Sequence, residues 1–195
     1  MRIVGGDLRG RRLTAPAGRS TRPTTDRARE ALFNKLQHAF AGRLKGARVL
    51  DLFAGSGALG LEALSRGAGS CLFIEMAADA RGAIRANVEA LGLQGRVKLF
   101  RRDATRLGGI GTMAPFDLVF ADPPYSKGLG EAALASALAG GWLADGALCM
   151  AEEARAAAFD APTGFRLVDM LAQGGSVVRF LEAARRDGTA PDDDK

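Results

Sequence analysis

The stretch that decides the fold is Val49-Leu50-Asp51-Leu52-Phe53-Ala54-Gly55-Ser56-Gly57-Ala58-Leu59-Gly60, in which an apolar strand pattern passes through a glycine turn into a helix. Gly55 and Gly57 allow the backbone to turn tightly and to approach a bound ligand closely, because glycine has no Cβ. Leu61 and Leu64 continue the apolar face of a helix that packs on a sheet. This order of elements indicates an α/β fold that binds a ligand at the carboxyl end of the strand.

Two kinds of ligand fit the glycine turn. Gly55, Gly57 and Gly60 match the Gly-x-Gly-x-x-Gly fingerprint of dinucleotide sites, so NAD and FAD are alternatives. Asp51 ends the strand beside the turn, where its carboxylate would repel a pyrophosphate and attract a positively charged amino group. S-adenosylmethionine (SAM) has an ammonium group and no phosphate, so the charge favours SAM. The expected cofactor contacts from this stretch are Asp51, Phe53, Ala54, Gly55, Ser56 and Gly57.

Two further acidic residues end strand patterns. Glu75 follows the apolar run 71–74, and we expect its carboxylate to accept hydrogen bonds from both ribose hydroxyls of the cofactor. Asp103 follows the weaker pattern 97–102, and with its neighbour Ala104 it is a candidate contact for the adenine amino group. Either acid could instead be an ordinary helix N-cap. The regular succession of acids at strand ends favours the cofactor interpretation.

A fourth strand pattern, 116–121, leads into the run Asp122-Pro123-Pro124-Tyr125. Asp122 offers a carboxylate that can accept an N–H of a nucleobase amine, and the two prolines stiffen the turn without adding N–H groups. Tyr125 offers a flat ring on which an extruded base could stack. Asp-Pro-Pro is also a good way to end a strand, which is the alternative. Together with the glycine turn, the motif predicts a catalytic site formed by Asp122, Pro123, Pro124 and Tyr125.

Positive charge is concentrated near the amino terminus. The chain has a net charge of +5, yet residues 1–45 hold eleven basic side chains and only three acidic ones. A basic segment on a slightly acidic body is typical of a protein that binds a polyanion, and arginine suits phosphate contacts. The alternative is a solvated surface without a partner. The expected RNA contacts are Arg9, Arg11, Arg12, Arg22, Arg27 and Arg29.

The remaining pattern predicts one enzyme domain with an extension at each end. We expect a small hairpin from strands at 2–4 and 11–14, then alternating strands and helices. The expected helices lie near 25–40, 58–66, 78–91 and 129–140, and the strands near 47–53, 71–75, 97–102, 116–121, 147–151, 165–171 and 175–182. The predicted domains are a basic RNA-binding extension at 1–45, a catalytic domain at 46–184 and a disordered tail at 185–195.

Composition excludes several classes of protein. The 195 residues suffice for a buried core, and no apolar run approaches the length of a membrane span. Cys71 and Cys149 fall in predicted strand interiors, which favours a reducing compartment over a disulfide scaffold. No Cys and His cluster suggests a metal, and His38 is the only histidine. We therefore expect a cytoplasmic, metal-free protein without a membrane anchor, and nothing in the sequence demands more than a monomer.

Several motifs give the chain a resemblance to a known family. Thr21-Arg22-Pro23-Thr24-Thr25-Asp26-Arg27-Ala28-Arg29-Glu30, the stretch 50–68 and Asp122-Pro123-Pro124-Tyr125 occur together, after Met1-Arg2-Ile3-Val4-Gly5-Gly6. In this combination the chain resembles the RsmD family of bacterial 16S ribosomal RNA guanine-N2 methyltransferases. The similarity covers about residues 1–182.

The resemblance implies a fold and an activity. The expected fold is Rossmann-like, that of a class I SAM-dependent methyltransferase. It has a seven-stranded, mostly parallel sheet with an antiparallel last strand, preceded by an N-terminal β-hairpin and helix. The expected reaction is methyl transfer from SAM to the exocyclic N2 amine of a guanine in 16S rRNA, within a small-subunit particle. By the same resemblance, Arg22, Pro23 and Thr24 lie near the methionine part of SAM or near the target nucleotide.

Two other functions stay open at this point. The first is methylation of another amine, on DNA adenine or cytosine or on a protein amide, because the chemistry at the strand ends permits it. The second is a non-enzymatic RNA-binding assembly factor that keeps an inactive pocket. Methyl-transfer assays with different substrates separate the first alternative, and a SAM titration separates the second.

Overall fold

The computed structural model describes residues 1–16, 25–124 and 128–185, which form four helices and seven strands. Two single 3₁₀ turns occur as well, at Gln94–Arg96 and Ala104–Arg106. The helices are α1 (Asp26–Ala39), α2 (Ala58–Ser65), α3 (Ala78–Leu91) and α4 (Leu129–Ala139). The strands are β1 (Arg48–Leu52), β2 (Ser70–Ile74), β3 (Val97–Phe100), β4 (Phe116–Ala121), β5 (Leu143–Ala154), β6 (Phe165–Gln173) and β7 (Ser176–Ala183).

All seven strands form one sheet in the order β3-β2-β1-β4-β5-β7-β6. The first five strands of this order run parallel, so the chain crosses over between them instead of turning back in hairpins. β7 runs antiparallel between β5 and β6. The predicted mostly parallel, seven-stranded sheet with an antiparallel last strand is therefore confirmed.

The core lies on both faces of the sheet, because strand side chains alternate between them. On one face, α1, α2 and α3 pack over residues such as Val49 and Phe120. On the other, α4 and the fully buried Trp142 pack over residues such as Leu50 and Val119. Phe33 of α1 contacts Phe120, with ring centroids 5.6 Å apart. Helix α1 is thus part of the core that supports the sheet.

The predicted N-terminal hairpin is reduced to a single isolated bridge, between Arg2 and Arg12. Beyond Ile3 the backbone N–H groups of Val4 and Leu8 bond to side chains of α2. The Val4 N–H donates to Glu62 Oε2 at 2.8 Å, and the Leu8 N–H donates to Ser65 Oγ at 2.9 Å. Contacts with α2 therefore hold the segment between the two predicted strands, while a few backbone bonds, such as Ile3 N–H to the Arg11 carbonyl, connect the strands themselves.

The other element boundaries agree with the sequence prediction to within a few residues. The largest difference is β5, which starts at Leu143 because Leu143 pairs with Phe116 across an irregularity in the register. Cys71 and Cys149 are both buried, as predicted, and neither forms a disulfide. Within the described residues, no helix has the length and apolarity needed to cross a membrane. The predicted tail lies outside these residues except for Arg185, and the division into domains stays a prediction.

Candidate active site

The candidate site lies where the strand order reverses, between the carboxyl ends of β1 and β4. The chain leaves β1 toward β2 and leaves β4 toward β5, so a crevice opens at this point of the sheet. Leu52 at the end of β1 pairs with Ala121 at the end of β4. The acids predicted from the sequence belong to four adjacent strands and lie in spatial order along one rim, as Asp103, Glu75, Asp51 and Asp122.

The glycine turn after β1 has a strained backbone. Phe53 has φ 59°, the only positive φ of a non-glycine residue in the described part of the chain. Such a conformation costs about 1–3 kcal/mol and persists only where neighbouring structure holds it. The Ala54 N–H donates to the Ile74 carbonyl at 3.1 Å, and the Gly57 N–H donates to the Ala54 carbonyl at 2.7 Å. These bonds hold the turn from Phe53 to Gly57 against the end of β2.

Asp51 lies beneath this turn rather than in the open crevice. The sequence suggested a carboxylate that points into the pocket, but the residue is 1% exposed. Its Oδ2 accepts a hydrogen bond from the Gly60 N–H in the first turn of α2, at 3.0 Å. Burial raises the pKa of Asp51 well above its usual value, the Gly60 N–H opposes this rise, and the charges of Asp122 and Glu75 add to it.

Replacing Asp51 with asparagine should make the protein more stable near neutral pH. The folded state holds the Asp51 proton more tightly than the unfolded state, so wild-type stability falls as pH rises above the unfolded pKa of about 3.9. The stability of the Asp51→Asn protein does not fall in this way, and its side-chain amide oxygen can still accept a hydrogen bond from the Gly60 N–H. Urea unfolding of both proteins between about pH 4 and 7 should show a difference in free energy that grows with pH.

Asp103→Asn is the matched control for that experiment. Hydrogen bonds from the Thr105 side chain and backbone lower the pKa of Asp103. Its stabilising contribution is therefore present above the unfolded pKa and is lost as pH falls through the folded pKa. The Asp103 variant should lose stability relative to wild type as pH rises, the opposite sign to Asp51→Asn. If the stability difference from wild type changed with pH in the same direction for both variants, the opposite pKa shifts of Asp51 and Asp103 would be contradicted.

Glu75 fastens the glycine turn to the end of β2. Its Oε2 accepts from the Gly55 N–H and its Oε1 from the Ala77 N–H, both at 2.8 Å. The N-cap of α3 is Ala77, so Glu75 is not that helix's N-cap. A carboxylate held here at the rim is well placed to accept from ribose hydroxyls, and this role stays a prediction.

Asp103 does act as a cap, as the alternative interpretation had it. It is the N-cap of the 3₁₀ turn Ala104–Arg106 and accepts from the Thr105 N–H at 2.9 Å and from the Thr105 hydroxyl at 2.7 Å. Both of these bonds use Oδ1, and the residue is exposed at the rim. Asp103 can therefore cap the turn and contact an adenine amino group at once. The contact with adenine stays a prediction.

The Asp-Pro-Pro run follows β4 as predicted. Asp122 is half-buried, Pro123 is buried and Pro124 is exposed. Pro123 packs near the first turn of α4, where a Cβ built on Gly130 would lie 3.8 Å from Pro123 Cγ. The catalytic role of these residues stays a prediction. Three other predicted site residues lie outside the described residues, namely Tyr125, Arg22 and Thr24.

The predicted RNA-binding arginines divide into two groups. Arg9, Arg11, Arg12 and Arg27 are exposed, and Arg11 Nη2 also donates to the Ala90 carbonyl of α3. Arg29 is 0% exposed and donates through Nη2 to the Arg2 carbonyl and to Asp26 Oδ1.

Arg29 was wrongly grouped with the surface arginines. It lies on the buried face of α1, one turn before Phe33 and two before Leu36. This spacing was the signal in the sequence that charge counting missed. Arg29 therefore joins two parts of the fold and does not present its charge to a partner.

One residue of the site was missed by the sequence interpretation. Asn87 of α3 is 2% exposed and donates through Nδ2 to the Ser56 carbonyl in the glycine turn, at 3.0 Å. The signal was a polar amide among the apolar positions Ala83, Ile84 and Leu91 of the buried face. No group of three or more His, Cys, Asp or Glu side chains in the part of the chain described could hold a metal ion.

Comparison with known proteins decides the family. Residues 1–182 match the model of the family described as "Conserved hypothetical protein 95", which is the RsmD family. The chain belongs to this family. The chain is 44% identical over 153 residues to "Ribosomal RNA small subunit methyltransferase D" of Escherichia coli (strain K12). The aligned region covers 78% of this chain and 74% of the relative. The protein of the same name from Haemophilus influenzae is 34% identical over 154 residues, 78% of each chain.

Solved structures agree with this membership. The structure named "Putative methyltransferase yhhF from Escherichia coli" superposes with a TM-score of 0.80 at 37% identity, over 95% of this chain and 99% of that one. The RsmD-family chain therefore has the class I methyltransferase fold, and it is a methyltransferase. The predicted family, fold and enzyme class are confirmed.

Proposed function

We propose that this RsmD-family protein transfers a methyl group from SAM to the exocyclic N2 amine of a guanine in 16S rRNA. The observation that carries the proposal is the rim of acids along four adjacent strand ends, with Asp122-Pro123 beside the glycine turn. The relatives named ribosomal RNA small subunit methyltransferase D support the choice of substrate. We infer that the protein acts as a cytoplasmic monomer on a small-subunit particle.

The charge of the rim fits SAM. A sulfonium and an ammonium group are both cationic, and three carboxylates (Glu75, Asp51 and Asp122) lie close enough for two of them to raise the pKa of the third. A pyrophosphate would be repelled by the carboxylates of Glu75 and Asp122, which disfavours NAD and FAD. Phe53, Ala54, Gly55, Ser56 and Gly57 would line the methionine side, and Glu75, Asp103 and Ala104 the nucleoside side. Bound SAM supplies an activated methyl group.

Asp122 and Pro123 would present the guanine amine to that methyl group. The amine is a poor nucleophile because its lone pair is delocalised into the purine ring. If an Asp122 carboxylate oxygen and the Pro123 carbonyl oxygen accept its two N–H groups, nitrogen becomes pyramidal and its lone pair is oriented for in-line attack. Positioning and electrostatics then supply most of the acceleration. Asp122 or water accepts the proton that the alkylated nitrogen releases.

Transfer of tritiated methyl groups tests the proposed function. Purified protein is incubated with labelled SAM and with 16S rRNA, assembled small subunits, DNA or peptide. The labelled nucleoside is then identified after digestion. We expect N2-methylguanosine from ribosomal RNA or particles. Label in adenine, in cytosine or in peptide would support the alternative amine substrates, and SAM titration without heat of binding would support the assembly factor.

The basic N-terminal segment, residues 1–16, should contribute phosphate contacts through its exposed arginines. Replacing Arg9 and Arg12 with alanine should weaken rRNA binding and make the slope of log K against log salt shallower by about 1.4–1.8, because each lost phosphate contact removes roughly 0.7–0.9. Arg11 is left in place because it also bonds to α3. Filter binding between 50 and 200 mM salt measures the slope.

A second double variant, Lys98→Ala with Arg185→Ala, is the control for net charge. Both side chains are exposed, and neither belongs to the rim or to the predicted RNA-binding extension at 1–45. The control variant removes the same charge as the Arg9 and Arg12 variant, so a general effect of charge would change the salt slopes of both variants equally. An unaltered slope in the Arg9 and Arg12 variant would show that these side chains do not touch phosphate.

A further inference from the structure

Asn87 joins three parts of the molecule through one buried amide. Its Oδ1 accepts from the Thr14 N–H at 2.7 Å, and its Nδ2 donates to the Thr14 carbonyl and to the Ser56 carbonyl, both at 3.0 Å. The amide therefore both accepts from and donates to the N-terminal segment, and it also donates to the glycine turn. A buried amide with three such bonds has little freedom to rotate, because every alternative leaves a backbone group without its partner.

The N-terminal segment meets the glycine turn a second time at Ser56. Ser56 Oγ lies 3.7 Å from Met1 Sδ, and the Leu13 N–H donates to the Met1 carbonyl at 3.1 Å. One side of the Arg2–Arg12 bridge thus contacts Ser56 through Met1, and the other side reaches Ser56 through Asn87. A displacement of residues 13–14 would be transmitted to Ser56 by bonds on both sides.

This connection links the two binding surfaces of the proposed function. Arg9, Arg11 and Arg12 lie in the same segment as Thr14, and they are the exposed candidates for phosphate contacts. Ser56 lies in the turn that is proposed to hold the cofactor. Between them the described structure places one side chain, that of Asn87, with hydrogen bonds to both.

We propose that Asn87 is a positioning residue that couples RNA binding to SAM binding, an inference that rests on the proposed function. RNA that orders the N-terminal segment also holds Thr14, the Asn87 amide and the Ser56 carbonyl in one arrangement, so the glycine turn is ordered for the cofactor. By linkage, cofactor binding must favour RNA binding by the same factor. The coupling makes the enzyme bind its two substrates together.

The ratio of two dissociation constants tests the coupling. Binding of 16S rRNA is measured with and without saturating sinefungin, a non-reactive SAM analogue. In the wild type, sinefungin should tighten RNA binding by about 5-fold or more, within the usual range of coupling between sites. In Asn87→Ala and in the equally sized Asn87→Asp, which places an oxygen against two carbonyls, the ratio should fall to about one.

Two further variants separate coupling from loss of structure. Thr14→Pro removes the N–H that donates to Asn87 Oδ1. Thr14 is exposed and lies outside the core, and this variant should also reduce the ratio. Ser65→Ala removes the hydrogen bonds of Ser65 Oγ with the Leu8 N–H and the Gly5 carbonyl, so it loosens the same segment at the end of α2 opposite the glycine turn. Ser65→Ala should weaken RNA binding but keep the wild-type ratio.

The outcomes are distinct. A wild-type ratio of one, an unchanged ratio in the Asn87 and Thr14 variants, or an equal loss in Ser65→Ala would overturn the proposal. Failure of the proposed function shows itself differently, as absence of methyl transfer to rRNA by the wild type whatever the binding ratio. Thermal unfolding of each variant establishes that the measured protein is folded.

Discussion

Replacing Asp122 with alanine should reduce methyl transfer to rRNA by about 10³-fold, because removal of one group that orients and polarises the reacting atoms typically costs 10²–10³ in turnover. Asp122 is half-buried at the end of β4, and its charge is close enough to Asp51 to raise the pKa of that residue. SAM affinity should fall far less than turnover does, since the glycine turn and Glu75 are intact. Single-turnover methylation and calorimetric titration with SAM measure the two effects separately.

Asp117→Ala is the matched control for that variant. Asp117 lies on the same strand, but it is exposed at the opposite end of β1 and β4, where its Oδ2 accepts from the Arg48 N–H at 2.8 Å. Its removal takes away the same charge without reaching the rim, so turnover should stay near the wild-type rate. Full activity of Asp122→Ala, or an equal loss in Asp117→Ala, would show that Asp122 does not orient the amine.

Replacing Arg29 with alanine should lower the free energy of unfolding by about 3 kcal/mol, because the buried guanidinium fills core volume and satisfies backbone and carboxylate acceptors. Arg29 bonds to the Arg2 carbonyl and, at 2.7 Å, to Asp26, so it ties the N-terminal segment to the first turn of α1. The salt dependence of RNA binding should keep its wild-type slope. Urea unfolding and salt titrations of RNA binding measure the two quantities.

Arg27→Ala should show the reverse pattern. Arg27 is exposed on the same helix, two positions earlier in the chain. Its loss should change stability by no more than about 0.5 kcal/mol, as for most surface substitutions. If it contacts phosphate, the salt slope should become shallower by about 0.7–0.9. If Arg29→Ala made the salt slope of RNA binding shallower and left stability unchanged, the burial of Arg29 would be contradicted and a contact between Arg29 and RNA would be indicated.

The difference between Arg27 and Arg29 illustrates what charge patterns cannot show. Both residues belong to one basic stretch, and their side chains are identical. Which of them is buried depends on the rotation of α1 about its axis, and this rotation is set by the packing of Phe33 against Phe120 of β4. The partner strand lies far away in the chain, so the local sequence carries only the helical spacing as a hint.

Asp51 shows the same limit within the candidate site. Its place at the end of β1 follows from the alternation of the strand and the glycines after it. Its burial depends on the fold around it. The Gly60 N–H can donate to the Asp51 carboxylate only once α2 has packed against β1 and β2. A Cβ on Gly60 would lie 2.5 Å from Cys71 Sγ, which shows how closely helix and sheet approach.

The sequence by itself determined the succession of elements, the glycine turn and the acids that end four strands. Periodicity, turn chemistry and capping act between near neighbours in the chain, and so they can be recognised there. Only the tertiary structure decided the strand order that brings Asp122 beside the glycine turn, the burial of Asp51 and Arg29, and the junction at Asn87. These features depend on contacts between distant segments, whose energies come from the shared exclusion of water and from hydrogen bonds that form only when the whole sheet is assembled.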